Sequence, residues 1–459
     1  MRSIAIYITL MIATIFGACK KYVEIPPPQN QLVSALVFTD DKTATATVAG
    51  LYSRMNGFNS SFANFYGNFL PAASADEYVY GFSSANLDEF KENNLLSSNS
   101  AVNALWEPVY SYIYHANAVL EGLTNNTSVS APVQRQLMGE ARFIRAFCYF
   151  YLVNYFGDVP LVLDTDYKKN TSAPRTGIGE VYAAIITDLT SAQADLSDAY
   201  PTAERTRVNK AAATLLLART YLYRQQWAQA EAEASKVIGD VRYSLLTDLN
   251  AVFLKNSSEA VWQLQTVNTS TAGVNTWEGF SIVPASATGT PLYRFYPDFV
   301  NAFEPDDKRR TSWTKTFTNA SGTIAYPYKY KIRTNTPVLE YSMVLRYAEL
   351  FLIRAEARAQ QDNLDGARAD LNVLRKRAGL TDLPNTLGKT DVLRAVEKER
   401  KLELFTEWGH RWLDLKRTGR ALEVLRVTKP ALTQSDLLYP IPLSALLTNP
   451  NLVQNPGYN

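Results

Sequence analysis

The chain of 459 residues carries 46 Lys and Arg against 44 Asp and Glu, so its formal charge of +2 gives no electrostatic reason to expect a nucleic-acid or membrane-surface partner. A composition of 46% hydrophobic and 20% charged residues is ordinary for a globular protein and excludes global disorder. Two Cys and two His leave little for metal clusters, disulfide frameworks or His-based catalysis, whereas 27 Tyr, 20 Phe and 7 Trp suit a recognition surface.

Residues 1–18 predict a lipoprotein signal peptide. A short basic start precedes an apolar run over residues 4–16, which fits a signal-peptide hydrophobic region and is shorter than the roughly 20 residues of a membrane-spanning helix. Two small residues then precede Cys19, an arrangement similar to the lipobox at which a thiol receives a diacylglycerol. Cys19 is therefore the predicted lipidation site. The alternative is an ordinary cleaved signal in which Cys19 is incidental.

Residues 19–31 predict an extended tether. Pro26, Pro27 and Pro28 lie at its centre, and the stretch has neither helical nor strand periodicity, which favours a polyproline conformation. The remaining residues, 32–459, are predicted to form a single domain.

Helical periodicity dominates this domain. The clearest stripe begins at Gln134, becomes apolar on the opposite face from Phe143 onward, and ends before Gly157 and Pro160; it predicts a helix in the middle of a core. Further helices are predicted at about residues 39–55, 101–123, 179–196, 209–224, 227–238, 343–360, 364–378 and 390–406.

Two of the helix pairs repeat one spacing of small residues. Ala218 and Ala230 lie on either side of one short turn, and Ala355 and Ala367 hold the same offsets around another. This spacing is similar to the tetratricopeptide repeat, in which small residues let two antiparallel helices approach closely. Generic helical hairpins are the alternative. The predicted fold class is mainly α, a tetratricopeptide-like helix-pair scaffold decorated by long loops.

Two segments lack this periodicity and carry aromatic residues: residues 68–100 and a loop-rich insert at about 239–341. Long irregular segments on a rigid scaffold commonly carry binding sites. We expect rings in these segments to stack on a ligand and an acid to accept hydrogen bonds from it. Packing against the scaffold is the alternative for Trp313, and turn capping for Asp76. The predicted ligand-binding residues are Asp76, Tyr78, Tyr80, Trp277, Tyr296 and Trp313.

Charged residues near the C-terminus have helical spacing. Glu407 lies four residues before Arg411, and Asp414 three residues after it, so in a helix the three side chains share one face and pair. Such spacing predicts an ion-pair network that fixes the last helices rather than a catalytic site.

Several longer stretches are more specific than any single spacing. They are GEARFIRA at residues 139–146, FGDVP at 156–160, RYAEL at 346–350, WGHRWLDLKR at 408–417 and NPGY at 455–458. With their order, they resemble the SusD-like (RagB/SusD) family of lipid-anchored outer-membrane nutrient-binding proteins, over nearly the whole mature length.

The resemblance implies four tetratricopeptide-like helix pairs with ligand-holding loops. It also implies a protein that is not an enzyme, is anchored on the outer membrane facing outside, and captures an oligosaccharide or peptide without a cofactor. The implied partner is a SusC-like TonB-dependent transporter, to which the nutrient is delivered. The alternatives are a surface glycoside hydrolase, since paired carboxylates need only spatial proximity, and a peptide-binding or protein-interaction scaffold.

Overall fold

The computed structural model describes residues 37–57, 60–267, 271–320 and 322–458. The predicted signal peptide, Cys19 and the tether lie outside the described residues. Helices dominate the rest, and the predicted mainly α fold class is confirmed.

The helices of the first half are α1 (Asp41–Met55), α2 (Phe65–Ser74), α3 (Ala85–Glu92), α4 (Ser100–Asn103), α5 (Glu107–Leu123), α6 (Ala131–Phe156), α7 (Tyr167–Asn170), α8 (Ile178–Asp195), α9 (Lys210–Tyr223) and α10 (Trp227–Ile238). Those of the second half are α11 (Trp277–Ile282), α12 (Lys308–Trp313), α13 (Tyr347–Gln360), α14 (Leu364–Arg377), α15 (Lys389–Leu404), α16 (His410–Arg417), α17 (Ala421–Leu425) and α18 (Leu443–Thr448). The strands are β1 (Tyr78–Tyr80), β2 (Ala260–Leu264), β3 (Tyr293–Phe295), β4 (Thr314–Asn319), β5 (Gly322–Pro327) and β6 (Ser342–Arg346).

Helix α6 forms the centre of the core, as its sequence predicts. From Phe143 to Phe156 nearly every side chain is buried, and the helix packs between α5 and α8. Gly157 ends it with a φ of 75°, a positive value that glycine adopts at little cost because it has no Cβ. A helix that is apolar on all faces is stable only when its neighbours cover it, and α5 and α8 supply that cover.

The two repeated helix pairs are α9 with α10 and α13 with α14. Ala218, Ala230, Ala355 and Ala367 are all fully buried, as expected for small residues where helices pack closely, although Ala367 packs with Ala359 and Val392 rather than with Ala355. Helix α10 also packs against α13. The two pairs are therefore neighbours in one helical array although the insert separates them in sequence.

Two predicted helices differ from the structure. The one at 101–123 is divided into α4 and α5, because Pro108 lacks a backbone N–H and fits the first turn of a new helix. The one at 343–360 begins only at Tyr347. The preceding residues form the buried strand β6, because a short apolar run is compatible with either structure and its partner β2 lies far away in sequence.

Three two-stranded antiparallel sheets decorate the helices. In the first, β1 pairs with β3, so that Tyr80 lies opposite Tyr293. This pairing joins segment 68–100 to the insert. Segment 68–100 is not one loop, since it contains the end of α2, all of β1 and α3.

The predicted charge network exists, but with other partners. Glu407 lies outside α16 and accepts hydrogen bonds from Arg346 and Lys329, while Arg411 pairs with Asp76 and Glu397 rather than with Glu407. Helical spacing misled the prediction because Trp408 and Gly409, with positive φ, break the helix before Arg411. We use the name ion-pair core for a set of charged residues whose side chains are at most 6% exposed: Glu259, Asp307, Arg309, Lys329, Arg346, Arg377, Glu399, Glu403 and Glu407.

Among the helices of the described ranges, none is long and apolar enough to cross a membrane.

Candidate ligand-binding site

An aromatic cleft of about 430 Å³ lies where the β1–β3 sheet meets α11. Hydroxyl groups from three serines, Ser83, Ser84 and Ser281, line part of it. The other lining residues are Tyr80, Leu87, Phe280, Leu292, Tyr293 and Arg333. Both aromatic segments singled out in the sequence contribute, because strand pairing brings them together. We call this site the aromatic cleft.

The β1–β3 sheet positions one wall. The backbone N–H of Gly81 donates to the carbonyl oxygen of Leu292 at 2.7 Å, and the rings of Tyr80 and Tyr293 lie 5.3 Å apart between centroids. Phe82 continues this row, with its ring 5.8 Å from that of Tyr80 and its residue surface 51% exposed. The sheet thus presents an aromatic edge that reaches solvent.

Arg333 and α11 form the opposite wall. The Arg333 guanidinium lies over the Phe280 ring, 4.1 Å from its centroid, and donates to the carbonyl oxygens of Phe280 and Val283. Burial lowers the pKa of Arg333, yet an arginine keeps its charge at neutral pH. The wall therefore offers an aromatic face together with a fixed cation.

Trp277 supports this wall from behind. Its ring meets the Phe280 ring edge to face at 5.9 Å, and its indole N–H donates to the carbonyl oxygen of Asn56 at 3.3 Å. Only 8% of the residue is exposed. The structure thus brings Tyr80 and Trp277 to the same cleft, Tyr80 in its lining and Trp277 beneath it.

Two predicted residues have no exposed surface. Trp313 is fully buried and donates its indole N–H to the carbonyl oxygen of Leu249 at 2.9 Å. Tyr78 is also fully buried, with its ring 5.3 Å from that of Phe69. A ring without accessible surface offers nothing for a ligand to stack on. We therefore leave Tyr78 and Trp313 out of the proposed site.

The remaining two predicted residues lie outside the cleft. Asp76 is held by Arg411 at 2.8 Å and by Lys401 at 2.7 Å. Burial alone raises the pKa of Asp76, but these two cations hold it well below its usual range. Tyr296 lines a different cavity of about 670 Å³ beside Lys429. Their binding roles stay predictions.

The sequence offered no signal for Phe280 and Arg333. Arg333 lies 53 residues after Phe280, and nothing in the pattern of the insert couples them. The contact between these two residues arises only from the tertiary packing of the insert.

Among residues 37–57, 60–267, 271–320 and 322–458, no three Asp, Glu, His or Cys side chains are grouped so that they could hold a metal ion. The polar groups that the cleft lining offers are serine and tyrosine hydroxyls and the Arg333 guanidinium.

Two family models match the chain. One, described as starch-binding and associating with the outer membrane, matches residues 24–222. The other, described as the SusD family, matches residues 313–458.

Curated relatives align over most of the chain. A SusD-like protein of Formosa agariphila is 26% identical over 528 residues, which covers 100% of this chain and 99% of the relative. The starch-binding protein SusD of Bacteroides thetaiotaomicron is 26% identical and covers 74% of each chain.

Solved structures share the fold. A SusD superfamily protein from Bacteroides vulgatus superposes with a TM-score of 0.81 at 21% identity, covering 92% of this chain and 100% of the other. A laminarin-binding SusD-like protein superposes with a TM-score of 0.78 at 25% identity, with the same coverage of each chain.

Proposed function

This chain belongs to the SusD/RagB family, and from that premise we propose that it binds an oligosaccharide in the aromatic cleft and delivers it to a TonB-dependent outer-membrane transporter. The proposal includes a lipid anchor on Cys19 and an outward-facing position. The delivery role comes from the family, whereas the binding site is the aromatic cleft described for this chain.

The aromatic cleft is the observation that carries the proposal. Pyranose rings have apolar faces and a rim of hydroxyl groups, so they suit a site with both rings and hydrogen-bonding groups. Tyr80, Phe82 and Phe280 supply the rings, and the serine hydroxyls and the Arg333 guanidinium supply polar partners. The half-exposed Phe82 ring allows a chain longer than the cleft to continue along the surface.

Relatives support a glycan as the ligand. One is named as a starch-binding protein and another as laminarin-binding. We therefore choose starch and laminarin as the first probes for this chain.

A hydrolase is less well supported by the cleft. Glycoside hydrolysis uses two carboxyl groups on either side of the scissile bond. The cleft lining given above contains neither Asp nor Glu among the described residues. This lining favours binding over cleavage, and a reducing-end assay on purified protein distinguishes the two.

Calorimetry with laminarin and soluble starch tests the site. Phe82→Ala and Tyr80→Ala should each weaken glycan binding by about 1 to 3 kcal/mol, as anchor residues at interfaces do. Tyr167→Ala is the matched control, because Tyr167 is an aromatic residue 63% exposed outside the cleft. Unchanged affinity in both cleft variants, or an equal loss in the control, contradicts the proposed site. Peptide binding without glycan binding favours the peptide alternative.

Fractionation tests the anchor and the partner. Wild-type protein should remain in the membrane fraction, and Cys19→Ala should move folded protein into the soluble fraction. Purification in mild detergent should recover a TonB-dependent barrel with the wild type. Wild-type protein that is soluble without detergent contradicts the anchor, and a free monomer under conditions that preserve related complexes contradicts the partnership.

A further inference from the structure

A second cavity, of about 280 Å³, lies among α13, α15, α16 and the turn that follows α16. It shares no lining residue with the aromatic cleft. Charged side chains dominate its lining, with four arginines and three carboxylates. The family-level role and the cleft do not account for it.

Two of the carboxylates are fully engaged by arginines. Arg417 donates to both oxygens of Glu356, at 2.5 and 2.7 Å. Asp414 accepts from Arg400 Nε at 2.6 Å and from Arg417 Nε at 2.8 Å. Paired in this way, neither acid repels an incoming anion as a free carboxylate does.

The third carboxylate, Glu397, is also engaged. One of its oxygens accepts from Arg411 Nη1 at 3.1 Å, and the other lies 2.6 Å from Arg420 Nε. All three lining acids therefore have cationic partners.

Arg400 retains a free donor. Its side chain is only 2% exposed, and its Nη1 has no hydrogen-bond partner in the described parts of the chain. Buried N–H groups in native proteins are nearly always paired, with protein, water or ligand. Arg400 therefore belongs to the cavity lining and has one hydrogen-bond donor without an acceptor.

Arg394 adds an uncommitted charge. It is exposed on α15 and lines the same cavity, and across the described ranges its side chain forms no ion pair or hydrogen bond. Lining arginines outnumber lining acids by one. The excess of arginines and the unpaired Arg400 donor both favour a negatively charged ligand that accepts hydrogen bonds.

We propose that this cavity binds an oxyanion, a carboxylate, sulfate or phosphate group. Its oxygens accept from the Arg400 guanidinium, whose buried Nη1 is brought to the anion by a rotation of that group, and Arg394 at the rim balances its charge. Guanidinium groups match the geometry of these anions, which share two or more acceptor oxygens on one centre. The volume suits a small anion or the acidic end of a larger molecule.

Calorimetry on the full chain tests the site, with inorganic sulfate, inorganic phosphate and acetate as probes at constant ionic strength. We expect saturable binding of one anion per chain. Arg394→Ala should weaken it about two- to fivefold, the effect of losing one exposed charge contact. Arg400→Lys keeps a cation beside Asp414 but removes the planar donor group, and should weaken binding about tenfold.

Arg135→Ala is the matched control, because Arg135 is also an exposed helical arginine and also has no ion pair within the residues that the structure describes. Weaker anion binding in Arg394→Ala with unchanged binding in Arg135→Ala supports the proposal. Binding of sulfate and phosphate alone then identifies a tetrahedral anion as the ligand, and binding of acetate identifies a carboxylate.

Absence of saturable binding for all three probes overturns the proposal and means that the cavity holds water only. Equal weakening in Arg394→Ala and Arg135→Ala also overturns it, since a general charge effect then explains the binding. Because Arg394 supports no other side chain, this result stands even if Arg400→Lys fails to fold.

Discussion

In the ion-pair core each carboxylate has a cationic partner, whereas in the aromatic cleft rings and donors face solvent. The single side chain of Arg346 donates hydrogen bonds to three carboxylates, those of Glu259, Glu403 and Glu407, and it is 1% exposed. Phe82, beside the cleft, is 51% exposed, and its ring lies 5.8 Å from that of Tyr80. Charged and aromatic side chains occur in both regions, so residue type alone does not distinguish them.

The difference shows how to separate scaffold from site in this fold. Buried charges are tolerated only when they are paired and hydrogen-bonded, so the pairing of every carboxylate in the ion-pair core indicates a structural role. A large ring left half exposed forgoes the free energy of burial, and at the rim of a cleft such a ring fits the binding role proposed for it. Four predictions test this distinction.

Among the four changes, removal of an arginine from the ion-pair core should lower the free energy of unfolding the most. Arg346→Ala leaves three buried carboxylates short of a partner, so we expect a loss of about 3 to 5 kcal/mol in the free energy of unfolding. Urea unfolding measures it, with Arg135→Ala as a control expected within about 0.5 kcal/mol of wild type. A loss below about 1 kcal/mol would show that the neighbouring cations re-pair these acids.

Trp313→Ala should destabilise the fold by a similar amount without changing ligand binding. Its fully buried ring packs edge to face against Phe253, and removal of a buried Trp typically costs about 3 to 5 kcal/mol. Thermal melting and glycan calorimetry on the same samples check both parts. Weaker glycan binding with unchanged stability would show that Trp313 contributes to ligand binding after all.

Glu77 lies between the two regions and should make stability depend on pH. Burial raises the pKa of Glu77 to about 8, from 4.5 for the unperturbed group, and its Oε1 has no hydrogen-bond partner among the described residues. A raised carboxyl pKa favours the protonated folded state, so its contribution is complete below about pH 4.5 and is lost as pH rises through about 8.

Glu77→Gln should therefore reduce the loss of unfolding free energy between about pH 5 and pH 8, by roughly 2 to 4 kcal/mol. Urea unfolding of both proteins across this range measures the difference. Identical pH profiles for the two proteins would show that Glu77 ionises normally in the fold.

The smallest effect is expected at an exposed ion pair. Lys398 donates to Glu304 at 2.9 Å, with side chains 43% and 32% exposed. Lys398→Ala should cost less than about 1 kcal/mol, and added salt should shrink the difference. A loss as large as that of Arg346→Ala, or one that salt leaves unchanged, contradicts the role of burial in this comparison.

The sequence by itself determined most of the helical scaffold. The stripe of α6, its end at Gly157, and the small residues of the two helix pairs are patterns within a few turns of chain. Such patterns act locally, because helical periodicity decides which face is buried wherever the helix packs. The resemblance carried in GEARFIRA and WGHRWLDLKR added the family.

Only the tertiary structure decided the partners and the site. It placed Tyr80 opposite Tyr293 and the Arg333 guanidinium over the Phe280 ring. It also buried Trp313, and it paired Glu407 with Arg346 rather than with Arg411. An aromatic or charged residue has the same local signal in a core and in a cleft. Which of the two it occupies depends on contacts between segments far apart in the chain, and these form only when the whole domain packs.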